Sequence, residues 1–224
     1  QKKCSNTNWS LKSMIKGLKI CGISDPKTLN YILNHRYKPS MIGFITNYKK
    51  SSRFIEYDKL QSLINIDKKK VNFVSVLVSP NNEILEKIKD LNFDYYQLYD
   101  VDPERTEEIK TKYKIKIITA ITVSVEDDVI KYKNYLEISD IILFDSKGYH
   151  KSESFDHKLL DIVPNELNKM IAGDIQIEDI PNFKNKNFMI DLSGALEDEN
   201  GKKDISKIDK LLNLSAKIWN LKKE

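Results

Sequence analysis

Asp140-Ile141-Ile142-Leu143-Phe144-Asp145 decides how this chain folds. Four consecutive apolar residues without alternation read as a strand covered on both faces, because a half-exposed strand would alternate polar and apolar side chains. Val74-Ser75-Val76-Leu77-Val78 has the same character. Outward from these two stretches, short β-branched or aromatic runs begin near Leu18, Met41, Val71, Asp94, Ile115, Asp140, Asn168 and Asn187. Their starts lie about 19 to 30 residues apart, the size of one strand–loop–helix unit. The segments between them carry helical spacing. Ile84, Leu85 and Ile88 share one face, as do Ile205, Ile208 and Leu212. Asp25-Pro26 and Asp102-Pro103 each put a side-chain acceptor ahead of a proline, which predicts helix starts there.

Eight such units fit either an open doubly wound sheet or a closed barrel. The open sheet would carry a glycine-rich turn after its first strand, and no G-x-G-x-x-G occurs. With 224 residues and no low-complexity linker, closure is the better solution. The expectation is therefore an α/β protein, a single (β/α)8 TIM barrel over residues 18–224, preceded by a short basic extension over residues 1–17. The first 24 residues hold Lys2, Lys3, Lys12, Lys16 and Lys19 and no acidic residue. Trp9, Leu11, Met14 and Ile15 would form a short helix across the barrel bottom, or the extension is loosely packed.

Composition excludes several classes. Hydrophobic residues make up 40% and charged residues 31%, an ordinary globular balance. The net charge of +4, from 37 basic and 33 acidic residues, is spread along the chain and argues against a nucleic-acid footprint. No run approaches the roughly 20 apolar residues of a membrane span. Two cysteines, Cys4 and Cys21, cannot build a disulfide scaffold and have no metal-ligand spacing to a histidine pair, so no metal is expected and a cytoplasmic setting is. Either a monomer or a homodimer is compatible with this sequence.

In a barrel, chemistry sits at the C-terminal ends of the strands and in the loops that follow. That rule selects Cys21 after strand one, Arg53 after strand two, Asp145 after strand six, Gly173-Asp174 after strand seven, and Asp191 to Gly194 after strand eight. A thiol at Cys21 is a nucleophile or general base if its pKa is depressed, or else a small buried apolar group. Asp145 closes a wholly apolar run, where desolvation raises a carboxyl pKa and suits a general acid; the competing reading is a cap or a salt bridge to Lys147. Arg53 lies in Lys49-Lys50-Ser51-Ser52-Arg53-Phe54 and could grip a carboxylate at two points, although position alone favours a solvated basic loop. His35, His150 and His157 are scattered and receive no role.

These residues in this order resemble a known family. Lys19-Ile20-Cys21-Gly22-Ile23 is similar to the opening of phosphoribosylanthranilate isomerases. So are Gly43-Phe44, Lys50-Ser51-Ser52-Arg53-Phe54-Ile55, Gln97-Leu98, Leu143-Phe144-Asp145, Phe155-Asp156, Ala172-Gly173, Asp191-Leu192-Ser193 and Gly201-Lys202-Lys203-Asp204. The resemblance implies an Amadori rearrangement in tryptophan biosynthesis, from aldose-amine to ketose-amine, needing no metal or cofactor. It implies Asp145 as the general acid on the ribose ring oxygen and Cys21 as the general base on C2′. Arg53 would hold the anthranilate carboxylate. Gly173, Asp191, Ser193 and Gly194 would contact the phosphorylated small-molecule substrate, with phosphate on backbone N–H groups after strands seven and eight.

The departures fall on the phosphate side. The loop Tyr149-His150-Lys151-Ser152-Glu153-Ser154 has only Gly148 beside it, where the family is glycine-rich. Gly173-Asp174 stands for a glycine pair, Ser193-Gly194-Ala195-Leu196-Glu197 for Ser-Ser-Gly-x-Glu, and Tyr99 for the family's histidine. Glu153 and Asp174 would repel phosphate, with Lys151, Ser152 or Lys202 in compensation. Two alternatives stay open on these grounds: a barrel acting on another sugar phosphate, and a non-catalytic barrel that binds a partner.

Overall fold

Alternation along the strands sorts side chains onto the two sides of one wall. The computed structural model describes residues 17–146 and 155–219, and in it eight parallel strands close in sequence order. They are β1 (Gly17–Cys21), β2 (Met41–Ile45), β3 (Asn72–Val78), β4 (Tyr95–Tyr99), β5 (Lys116–Val123), β6 (Ile141–Ser146), β7 (Lys169–Ile171) and β8 (Met189–Leu192). Each begins within two residues of the start expected from sequence. Ile142 and Phe144 of β6, Tyr96 and Leu98 of β4, and Ile190 and Leu192 of β8 join the large cluster outside the wall. Ile141 and Leu143, Tyr95 and Tyr99, and Met189 belong to a smaller cluster inside it. Both faces are dry, which is why β6 reads as unbroken apolar sequence.

Helices cover the outside: α1 (Pro26–Asn34), α2 (Tyr57–Ile64), α3 (Asn82–Ile88), α4 (Pro103–Tyr113), α5 (Glu126–Ile130) and α6 (Ile205–Trp219). The two predicted proline-led caps form as expected. Asp25 Oδ1 accepts from the Thr28 N–H at 2.8 Å, and Asp102 Oδ1 from the Arg105 N–H at 2.8 Å. The expectation of eight helices needs correction. Between β6 and β7 the described chain makes a 3-10 segment, His157–Ile162, and between β7 and β8 another, Ile177–Phe183. Pro164 follows Val163 directly after the first, and the residue before a proline is steered out of helical conformation. Pro181 lies inside the second, where its missing N–H breaks the i→i−4 ladder. The helix anticipated at Trp9, Leu11, Met14 and Ile15 lies outside the described residues, as do Lys147, Gly148, His150, Lys151, Ser152 and Glu153.

Two aspartates tie neighbouring strands together at the N-terminal end of the barrel. Asp94 precedes β4, and its Oδ2 accepts from the Phe73 N–H of β3 at 2.7 Å and from Lys68 Nζ at 2.7 Å. Asp140, before β6, repeats the arrangement two units later, accepting from the Ile117 N–H at 2.8 Å and Lys110 Nζ at 3.0 Å. Each carboxylate satisfies an N–H at the start of a strand before the ladder can.

Candidate active site

A cavity of about 400 Å³ opens at the C-terminal end of the barrel, and its wall contains Cys21, Arg53, Asp145, Gly173, Asp191, Ser193 and Gly194. All seven residues selected from sequence therefore meet at one place. Strand parity explains the inward ones. Cys21 follows Lys19 by two on β1, Asp145 follows Leu143 on β6, and Asp191 follows Met189 on β8, so each points to the inside.

Asp145 is held from both oxygens. Its Oδ2 accepts from the Tyr99 hydroxyl at 2.7 Å, and its Oδ1 from the Ser146 N–H at 2.8 Å. The Tyr99 hydroxyl in turn accepts from Gln97 Nε2 at 3.2 Å. Burial raises the Asp145 pKa above the ordinary carboxyl value; the Tyr99 hydrogen bond works the other way, and Asp191 adds to the rise. The carboxyl is thus biased toward its acid form, as the sequence predicted. Tyr99, met there only as a departure from a family pattern, is the group that orients it.

Cys21 does not meet the condition set for a ready base, and it is buried as the alternative reading had it. Burial pushes its thiol up, and the pull of Lys19 does not cancel that, so its pKa lies above the ordinary thiol value instead of below it. Lys19 is wholly buried and was missed in sequence. Its Nζ donates to Asp191 Oδ2 at 2.5 Å, a pair fixed by the register that sets Lys19 opposite Asp191 on β1 and β8. Burial works against the Lys19 ammonium, but the charges of Asp191 and then Cys21 outweigh it and raise its pKa. Asp191 Oδ1 is buried and has no hydrogen-bond partner among the described residues.

Arg53 does grip a carboxylate at two points, and the carboxylate is internal. Its Nε donates to Glu197 Oε1 at 2.5 Å and its Nη2 to Glu197 Oε2 at 2.7 Å. Lys203, another residue without a role in the sequence reading, reaches Glu197 Oε1 at 2.8 Å and the Ser193 carbonyl at 2.9 Å. Two cations share one carboxylate, so the cluster keeps a unit of positive charge. The pairing uses two of the five guanidinium donors, leaving Arg53 capacity for a further anion. The 3₁₀ segment Gly194–Leu196 follows Ser193, whose hydroxyl donates to the Cys21 carbonyl at 3.0 Å.

The altered glycine pair keeps a glycine-like backbone. Gly173 has φ +91° and Asp174 φ +50°, so the aspartate occupies the left-handed region. A side chain at Gly173 would come within 2.9 Å of the Ser146 backbone N. The Asp174 carboxylate is engaged by Gln176 Nε2 at 2.8 Å.

Comparison with known proteins follows the same lines. The profile of the family N-(5'phosphoribosyl)anthranilate (PRA) isomerase matches residues 18–214. An N-(5'-phosphoribosyl)anthranilate isomerase of Rhizobium johnstonii is 31% identical, over 89% of this chain and 94% of that protein. The Agrobacterium fabrum protein of the same name is 32% identical, over 86% of this chain and 91% of its own length. Among solved structures, phosphoribosyl anthranilate isomerase from Thermotoga maritima superposes with a TM-score of 0.77 at 25% identity, covering 91% of this chain and 99% of that one. A second isomerase structure, in complex with reduced 1-(o-carboxyphenylamino)-1-deoxyribulose 5-phosphate, gives a TM-score of 0.77 at 23% identity, over 91% of this chain and 100% of that one. Profile, relatives and cavity agree: the chain belongs to the N-(5'-phosphoribosyl)anthranilate isomerase family.

Proposed function

We propose that this barrel performs the Amadori rearrangement of N-(5'-phosphoribosyl)anthranilate to the 1-deoxyribulose 5-phosphate product, with Asp145 as general acid and Cys21 as general base. The carrying observation is a half-buried carboxyl on β6 and a buried thiol on β1 that line one cavity. Asp145 gives its proton to the ribose ring oxygen as the C1′–O bond breaks and the aniline nitrogen supplies the electrons for a C1′=N bond. The thiolate of Cys21 then takes the C2′ proton. The released electron pair forms C1′=C2′ and returns charge to nitrogen, and tautomerisation of the enol to the ketone moves its hydroxyl proton to C1′. Substrate and product are isomers, so electrons and atoms balance within the substrate and the two side chains.

The remaining contacts follow from the same wall. The unit of positive charge on Arg53, Glu197 and Lys203 suits the anthranilate carboxylate. The loops at Gly173 and at Ser193-Gly194 suit the phosphate, with backbone N–H groups as donors. Residues 18–224 would form the catalytic domain and residues 1–17 an extension to it. Loss of substrate fluorescence on adding purified protein tests the reading. Turnover is expected, and Cys21→Ser and Asp145→Asn are each expected to reduce it by about 10²-fold or more. Robust turnover by either variant would remove that residue from its role.

A further inference from the structure

Cys21 carries a tension. A base must shed its proton, yet burial favours the thiol. We propose that Lys19 is a positioning residue for Cys21: its ammonium, anchored by Asp191, meets the sulfur over the bare face of Gly43 and controls how readily the thiolate forms. This rests on the reading of Cys21 as the base.

Geometry carries the case. Register sets Lys19 beside Asp191 on one side of β1 and Cys21 beside Gly43 on the other. A Cβ built on Gly43 would lie 2.8 Å from Cys21 Sγ and 3.1 Å from both Nζ and Cε of Lys19. Sulfur and ammonium therefore converge on the space that a side chain at position 43 would fill, and the positive charge of Lys19 draws the Cys21 thiol toward its thiolate. Asp191 plays two opposed parts. It holds the ammonium in place at 2.5 Å, and its negative charge disfavours a thiolate nearby. The other charged or titratable groups facing Cys21 are Lys203 and Arg53 from the loops after β8 and β2, and Tyr99 from β4; Asp145 of β6 shares the cavity. Of these cations, Lys19 is the one whose atoms lie among the nearest to the space beside Gly43. A buried cation in contact with a sulfur favours the thiolate, and one whose own anion can be removed offers a signed test.

The test is the pH dependence of Cys21 alkylation by iodoacetamide, in full-length protein carrying Cys4→Ser so that one thiol reacts. Lys19→Met is expected to move the alkylation midpoint to higher pH and to slow alkylation at neutral pH on the order of tenfold. Asp191→Asn is expected to do the opposite, speeding alkylation, because it removes an anion and leaves the ammonium to the sulfur. Gly43→Ala keeps every charge but separates Sγ from Nζ, and is expected to slow alkylation by a smaller factor. Should Lys19→Met fail to fold, Asp191→Asn and Gly43→Ala still carry the test. An unchanged profile in Lys19→Met, or slowing in Asp191→Asn, would overturn the proposal, since general loosening of the barrel would move all variants the same way. Alkylation needs no turnover, so absence of isomerase activity with these shifts intact would count against the proposed function alone.

Discussion

Replacing Asp94 by alanine removes one of the two carboxylates that tie adjacent strands at the N-terminal end of the barrel. Two interactions go with it: the bond from the Phe73 N–H at 2.7 Å and the ion pair to Lys68 at 2.7 Å. Their weights differ. Phe73 is fully buried, so its N–H has little recourse to water, and a hydrogen bond to a charged acceptor is worth about 1.5–3 kcal/mol. The Lys68 and Asp94 side chains are 17% and 32% exposed, which keeps their pairing to roughly 1 kcal/mol or less. Asp94→Ala should therefore cost about 2–3 kcal/mol, with the backbone contact supplying most of it. For a chain of this length that lowers Tm by roughly 4–12 °C. Asp94→Asn keeps an acceptor without its charge and should cost about half as much. Lys68→Met should cost less than about 1 kcal/mol. Urea unfolding of the three variants, read by circular dichroism at constant slope, measures the order. If Lys68→Met costs as much as Asp94→Ala, the backbone tie is not what matters and the reasoning fails.

Asp174→Gly should lower KM for the phosphorylated substrate about two- to fivefold without changing kcat much, because it removes a carboxylate from the cavity wall; steady-state kinetics with an unchanged or raised KM would refute this. Both Asp145 and Cys21 are raised, so the resting thiol–carboxylate form and the productive thiolate–acid form carry the same number of protons. Activity should then be flat through neutral pH, fall below the Asp145 titration, and fall at alkaline pH only beyond the ordinary thiol value; a decline centred at ordinary thiol pH would contradict that assignment. Glu197→Gln frees two cations at once, Arg53 and Lys203, and should weaken substrate binding through misplacement of Arg53, seen as a KM rise of about tenfold with a smaller kcat change.

The fold was legible because both faces of the wall are dry. A run as short and unbroken as Ile141 to Phe144 suits a strand packed on both sides, and Asp25 and Asp102 act over three residues, a range that sequence exposes. Cys21 and Asp145 were legible by position, as polar groups ending apolar strands. Lys19 was not, although parity with Cys21 puts both on the same side of β1 and was available as a signal. Its partner Asp191 lies 172 residues away, and one lysine among many basic residues carries no mark of burial. Glu197 was hidden for the same reason, 144 residues from Arg53. The sense of the Cys21 shift was also beyond sequence, because it depends on how far desolvation outruns one neighbouring ammonium.

Strand parity has a consequence for how this chain can change. On β1, Leu18 and Ile20 meet the outer packing while Lys19 and Cys21 point inside the barrel, Cys21 into the cavity wall. Deleting one residue between them would exchange the two sets, sending an ammonium into the outer packing and leucine or isoleucine into the cavity. Deleting two would restore the sides but slide Lys19 off Asp191 and Cys21 off Gly43. The strand behaves like a reading frame with two simultaneous checks, sidedness and alignment. By this reasoning β1 tolerates substitution far better than any change of length.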